Sequence, residues 1–180
     1  MDAEIPVSLH GSDSGYALML SVWEPAKEYT PFNPTAFTLA AVGHLPIEHS
    51  MLALACHGAL SRNPGVRILS IENGAEWVPH LFDSLRSVYR RTPYEFSEDP
   101  IDAFKRCVYV SPFWEDNFVD YVRLVGADRI VFGSDWPHAE CIRDPLMFVD
   151  ELTGLSQEDV AKIMGGNMMK LMKVDQPVTA

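Results

Sequence analysis

Four short apolar segments, residues 5–10 (IPVSLH), 66–71 (VRILSI), 107–110 (CVYV) and 129–133 (RIVFG), stand between stretches with helical spacing. Strands separated by helices cannot be joined as hairpins. They pair in parallel through right-handed crossovers, and this alternation restricts the chain to an α/β fold. Residues 34–60 read as two helical segments divided at Gly43 and Pro46, with a stop at Asn63-Pro64-Gly65. Residues 75–91 carry Trp77, Leu81, Leu85 and Val88 at helical spacing and end in a basic turn that suits the helix dipole. Residues 116–125 form a helix closed by Gly126, a short helix follows Pro145 as far as Leu152, and Ser156 caps a last helix over 157–172. Between Gly11 and Pro34, glycines, serines, prolines and the aromatics Tyr16, Trp23, Tyr29 and Phe32 predict an irregular loop or lid.

A chain of 180 residues has room for one core, so residues 1–180 are read as a single domain. The 14 basic against 25 acidic side chains give a net charge of −11, which repels nucleic acid and anionic lipid alike. No apolar run approaches the roughly 20 residues that span a bilayer, and the start lacks the basic and apolar regions of a signal peptide. A cytoplasmic location is the expectation. Cys56, Cys107 and Cys141 form no CxxC pair and are expected to be reduced and packed as small apolar groups.

In parallel α/β proteins, chemistry gathers at the carboxyl ends of strands. His10 ends the first apolar segment, Glu72 follows the second, Ser111 the third, and Asp135 with His138 the fourth. Each alone reads as a turn or cap residue. Placed together, imidazole and carboxylate are standard donors for a divalent metal. His44, His49, His57 and His80 lie on helical stretches without HExxH spacing and are expected at the surface or satisfied by local partners. The methionines of MGGNMMKLM read as core packing, and Asn167 among them as a partner for nearby backbone. No GxGxxG, GxxxxGK[ST] or GxSxG motif is present, which removes the usual support for dinucleotide, P-loop and serine-hydrolase readings.

The segments RIVFGSDWPHAE (129–140), NPGVRILSIENGAEWVPHLFDSL (63–85) and KIMGGNMMKLM (162–172) together resemble the amidohydrolase-related family, metal-dependent TIM-barrel hydrolases that also include non-oxidative decarboxylases. The likeness covers most of the chain from Val66 onward. It implies a partial (β/α)8 barrel made of about the last four strand–helix units. It also implies that His10 and Asp135 bind a divalent ion, zinc first and manganese second, and that Asp135 alternatively takes a proton from the attacking water. Trp136 and His138 would sit beside the site. Glu72-Asn73-Gly74 occupies the place where several relatives have a histidine in an HGG-like run, which puts Glu72 in the proton-transfer position.

A complete barrel of this kind needs about 250 residues, and none of the six histidines here forms the family's His-x-His pair. The N-terminal half of the barrel is therefore expected to be missing, and the open edges call for a second copy of the chain or a segment preceding it. Weak or no turnover is expected of this polypeptide alone. The activity implied is metal-dependent hydrolysis of a small aromatic carboxylate or amide, with a decarboxylase of the same family or a non-catalytic half-barrel as the alternatives. Tyr16, Trp23, Tyr29, Phe32, Phe113 and Trp114 are candidate contacts for a flat substrate, with loop anchoring an equal reading.

Overall fold

The computed structural model of the chain describes residues 5–11, 15–25, 34–138 and 141–174. Its sheet contains three parallel strands in chain order, β1 (Val7–His10), β2 (Ile68–Ile71) and β3 (Val108–Val110). Val7 is opposite Ile68 and His10 opposite Ile71, while Ile68 is opposite Val108. The fourth expected strand is reduced to one parallel bridge between Val110 and Ile130. The reason lies in its next donor: Val131 N–H reaches Val110 at 2.9 Å, but Phe132 N–H turns to the carbonyl of Ile163 at 3.0 Å. The ladder ends there, yet the segment still lies beside β3.

Residues on alternate sides of the strands face two different environments. Ile68, Val108, Val110 and Ile130 join the main core, built with α3 (Leu45–Cys56), α5 (Trp77–Arg91), α6 (Pro100–Cys107) and α7 (Phe118–Val125). The stripe predicted on α5 is real, since Trp77, Leu81, Phe82 and Leu85 have no exposed surface. Phe104 receives Trp77 and Phe82 edge-on, with ring centroids at 6.0 and 5.2 Å. Such pairs add about 0.5–1.5 kcal/mol each beyond their buried area. The opposite sheet face carries Leu69, Tyr109 and Val131, covered by Leu171 and Met168 of α10 (Asn167–Leu171). Here β1 is an edge, with Val7 48% exposed. All three cysteines are free, and Cys107 is buried among the carbonyls of Leu60, Asn63 and Pro64.

Several elements depart from expectation. The stretch predicted as an irregular loop contains α1 (Ala17–Trp23), whose ALMLSVW sequence is rich in helix formers; Tyr29 and Phe32 lie outside the described residues. Helix α6 was not predicted, although Asp99 caps it by accepting from Ile101 N–H at 2.8 Å and Pro100 opens it. Residues 34–60 become α2 (Ala36–Val42), α3 and the short α4 (Ala59–Arg62). The expected last helix is broken into α9 (Gln157–Ala161) and α10 by a wide turn, Lys162–Gly166, at the glycine pair. A further short helix, α8 (Phe148–Glu151), follows Pro145 as predicted. Together α2 and α3, Ala36–Cys56, are long and apolar enough to cross a membrane by length and composition only, although the stretch is divided at Gly43 and His44 and carries Glu48. Its second half buries Ile47, Met51 and Ala55 in the main core.

One ion pair stands out at the periphery. Arg106 donates to both oxygens of Glu98 at 2.8 and 2.6 Å, and this holds the Glu98 carboxyl down at about 2. A carboxyl lowered on folding stabilises the protein above its unfolded value of about 4.5, and that contribution is lost as pH falls toward 2. Both side chains are about one-third exposed, which limits the effect. Glu98→Gln is expected to cost about 1 kcal/mol at pH 7 in urea unfolding. The difference from wild type should shrink between pH 4.5 and pH 2.

Candidate metal centre

The pairing of β1 with β2 places His10 opposite Ile71, one residue before Glu72. Gly11 N–H donates to the Ile71 carbonyl at 2.9 Å, and a Cβ on Gly11 would stand only 2.3 Å from the Glu72 carbonyl oxygen. The absence of a side chain at Gly11 therefore lets the two strand ends close on each other. Asn73 reinforces this closure by donating from Nδ2 to the carbonyls of Leu9 at 3.1 Å and Ile71 at 2.8 Å. Glu72 itself has φ 56°, a left-handed backbone that costs a non-glycine residue roughly 1–2 kcal/mol. His10 Nε2 meets Glu72 Oε2 at 2.5 Å, and its other ring nitrogen lies 3.0 Å from the Gly11 carbonyl.

Asp135 arrives from the other side of the sheet. Buried Asn167 donates to the carbonyls of Ala127 and Ile130 at 2.8 and 2.7 Å, the backbone partnership its sequence position suggested. It thereby fixes where the segment after Ile130 begins. Gly133 then passes Ser111 so closely that a Cβ would lie 2.6 Å from Ser111 Oγ. Two residues later Asp135 is also left-handed, with φ 54°. A turn from the Asp135 carbonyl to His138 N–H, 2.9 Å long, folds His138 back over the strand ends. His138 Nδ1 then lies 3.2 Å from Asp135 Oδ1 and 3.5 Å from Glu72 Oε1.

Glu72, Asp135 and His138 thus bring one donor atom each to within 4.8 Å of one another. Of the residues singled out in the sequence, these three meet directly, and His10 joins through Glu72. Ser111 is buried beside Gly133 and does not join the cluster. Trp136 is 65% exposed. Two half-buried carboxylates this close repel unless positive charge intervenes, and carboxylate with imidazole is the donor chemistry of zinc and manganese sites. The residues fit a divalent ion.

A cavity of about 390 Å³ opens beside Asp135. Phe113, Trp114, Ile142 and Phe148 supply its apolar walls. Asp116 shapes it: one carboxylate oxygen accepts from Phe113 N–H at 2.7 Å and Ala75 N–H at 3.0 Å, tying together the loops that follow β3 and β2. Burial pushes the Asp116 carboxyl above its ordinary value, an effect the two N–H donors oppose. This clamp was invisible in sequence because its partners are backbone groups 41 and 3 residues away. Among the helical histidines, His44 pairs with Glu76 at 3.1 Å on the cavity wall and His49 meets the Tyr16 hydroxyl at 2.7 Å. His57 and His80 are exposed. Phe113 and Trp114 line the cavity, whereas Trp23 packs on Phe37 at 6.4 Å and is 70% exposed.

The family profile described as amidohydrolase matches residues 2–173. A gamma-resorcylate decarboxylase from Polaromonas sp. (strain JS666 / ATCC BAA-500) is 28% identical over 132 residues, 69% of this chain and 40% of that protein. The crystal structure of an amidohydrolase from Mycobacterium avium subsp. paratuberculosis K-10 superposes with a TM-score of 0.86 at 34% identity, over 94% of this chain and 42% of the other. A dihydroxybenzoic acid decarboxylase from Polaromonas sp. JS666, solved with manganese and the inhibitor 2-nitroresorcinol, has the same fold. Its TM-score is 0.66 at 21% identity, over 96% of this chain and 51% of that one. The chain thus spans about two-fifths to one-half of the length of these relatives.

The left-handed backbone at Glu72 leads to a comparison of two substitutions. Glu72→Ala keeps the conformational cost and Glu72→Gly removes it, so the glycine variant is expected to be the more stable by about 1 kcal/mol. Chemical denaturation of both proteins checks the difference, and equal stabilities would mean that residue 72 is not held left-handed.

Proposed function

The chain belongs to the amidohydrolase family, and on that premise we propose that it forms the part of a divalent-metal-dependent enzyme corresponding to the last four strand–helix units of a (β/α)8 barrel, acting on a small aromatic carboxylic acid. What carries this reading is the cluster of Glu72, Asp135 and His138 at the carboxyl ends of parallel strands, with donor atoms within 4.8 Å of one another. Loss of carbon dioxide is the favoured reaction, supported by the decarboxylase that shares 28% identity with 69% of this chain. Manganese is the favoured ion, in keeping with the oxygen-rich donor set and with the ion held by a protein of the same fold.

Glu72, Asp135 and His138 would hold the ion, with His10 orienting Glu72 from behind through its Nε2. When bound, such an ion supplies Lewis acidity toward a substrate oxygen and lowers the pKa of coordinated water. Asp135 is then the group placed to move a proton, because His138 Nδ1 holds its Oδ1 at 3.2 Å and the cavity opens at its side. In decarboxylation the electron pair of the breaking carbon–carbon bond stays on the ring carbon, which takes the proton from the Asp135 carboxyl. The apolar walls at Phe113 and Phe148 orient the ring and exclude water. Hydrolysis is the second reading, favoured by the same half-buried Asp135, which as a carboxylate would accept a proton from water.

Calorimetric titration with manganese tests the reading. One ion per chain is expected, with affinity falling at least about tenfold in each of Glu72→Gln, Asp135→Asn and His138→Ala. Absence of binding at millimolar manganese would favour a non-catalytic module instead. Turnover of hydroxybenzoates by this chain alone is expected to be weak, because the chain spans about two-fifths to one-half of its relatives and the site would lie open along the β1 edge. Release of carbon dioxide rather than an alcohol or amine product would decide between the two reactions.

A further inference from the structure

The methionines of the MGGNMMKLM segment are not packed as a closed core. Met164, Met168 and Met169 are half-buried and Met172 is 59% exposed, whereas Met51 has no exposed surface. With Phe132 and Gly165, these four methionines line a second cavity of about 280 Å³. Two sets of contacts lead from it toward the strand ends. Met168 and Leu171 pack against Leu69, Tyr109 and Val131, and Asn167, the residue before Met168, holds the carbonyls of Ala127 and Ile130. Phe132, in the cavity wall, donates its N–H to Ile163 and sets its ring against Phe148 with centroids at 4.9 Å. Phe148 in turn lines the cavity beside Asp135.

We infer that this segment is an oxidative modification site: the thioethers of Met168 and Met169 in α10, and of Met172 just after it, accept oxygen from a peroxide, and the product loosens α10 from the segment leading to Asp135. A sulfur lone pair attacks one peroxide oxygen, the O–O bond breaks as the S–O bond forms, and the other oxygen leaves as water. The sulfur is oxidised by two electrons and the peroxide reduced by two. Met172 reacts first, being the most exposed of the four. Met168 matters most, because its sulfoxide would place an unpartnered acceptor in the apolar cover of Leu69, Tyr109 and Val131. With five residues, α10 is held by packing more than by its own hydrogen bonds, so weaker packing frees Asn167 from its two carbonyls. The effect on a bound ion rests on the metal-centre reading above; the modification itself does not.

The test treats the whole chain with millimolar hydrogen peroxide and then with dithiothreitol, which reduces disulfides and sulfenic acids but not sulfoxides. Peptide mass spectrometry should find one added oxygen at Met172 first and at Met169 and Met168 next, with buried Met51 spared. Amide hydrogen exchange across residues 127–133 should then quicken at least about fivefold, and manganese affinity should fall by a similar factor. Methionine sulfoxide reductases A and B, with dithiothreitol as reductant, should reverse both changes, which reads the site without mutation. The variant M168L/M169L/M172L keeps side-chain volume without sulfur and should show neither change after the same dose. Met19 and Met147, 39% and 51% exposed, remain in that variant and control for oxidation elsewhere. No added oxygen at these sulfurs, sulfoxides with unchanged exchange at 127–133, or an equal change in the leucine variant would overturn the inference. Faster exchange in a chain that binds no manganese before or after oxidation would overturn the metal-centre reading and leave the modification site standing.

Discussion

The register between Val7–His10 and Ile68–Ile71 is the constraint from which the site follows. Successive strand residues point to opposite faces, so a slip of one residue would carry His10 to the other side of the sheet and separate it from Glu72. Two features hold the register at its upper end: the bare backbone of Gly11 against the Glu72 carbonyl, and the side-chain amide of Asn73 bridging the carbonyls of Leu9 on β1 and Ile71 on β2. Glu72 leaves β2 in a left-handed conformation, and that turn aims its carboxylate between the two imidazoles. On the far side, Asn167 and Gly133 perform the same service for Asp135. Among the described residues three non-glycines are left-handed, and two of them, Glu72 and Asp135, are the acidic pair of the cluster, where the surrounding structure over-determines the cost; the third, Lys173, lies elsewhere.

Much of this was legible in the sequence. Apolar segments ending in His10, Glu72 and Asp135 gave parallel strands with polar residues at one edge, and α5 displays its predicted stripe. Other features were not legible for physical reasons. Helix α1 lies in a stretch whose glycines and prolines masked a short run of helix formers. The fourth strand could not be told from a segment making one bridge, because its length as a strand depends on whether Phe132 finds a neighbour in the sheet or in Ile163. Asp116 reads in sequence only as the first residue of the helix over 116–125, and its clamp emerges only when two loops fold together. Glu72 was assigned to proton transfer, while its position between His10 and His138 also suits a ligand.

The chain covers about two-fifths of the amidohydrolase that it resembles at 34% identity. Consistent with that share, β1 is an edge with Val7 and Ile5 largely exposed, and only part of the second sheet face is covered, by Leu171 and Met168. The cluster nonetheless draws its three donor atoms from this segment alone. The parallel ladder and the two glycine contacts bring the acidic pair and its imidazoles together within this chain.

The most direct measurement is anomalous diffraction from crystals of the chain soaked in manganese. The account predicts one peak within about 2–2.5 Å of donor atoms of Glu72, Asp135 and His138, with His10 still engaged on Glu72. A peak bound elsewhere, or none at these three residues under saturating manganese, would contradict it.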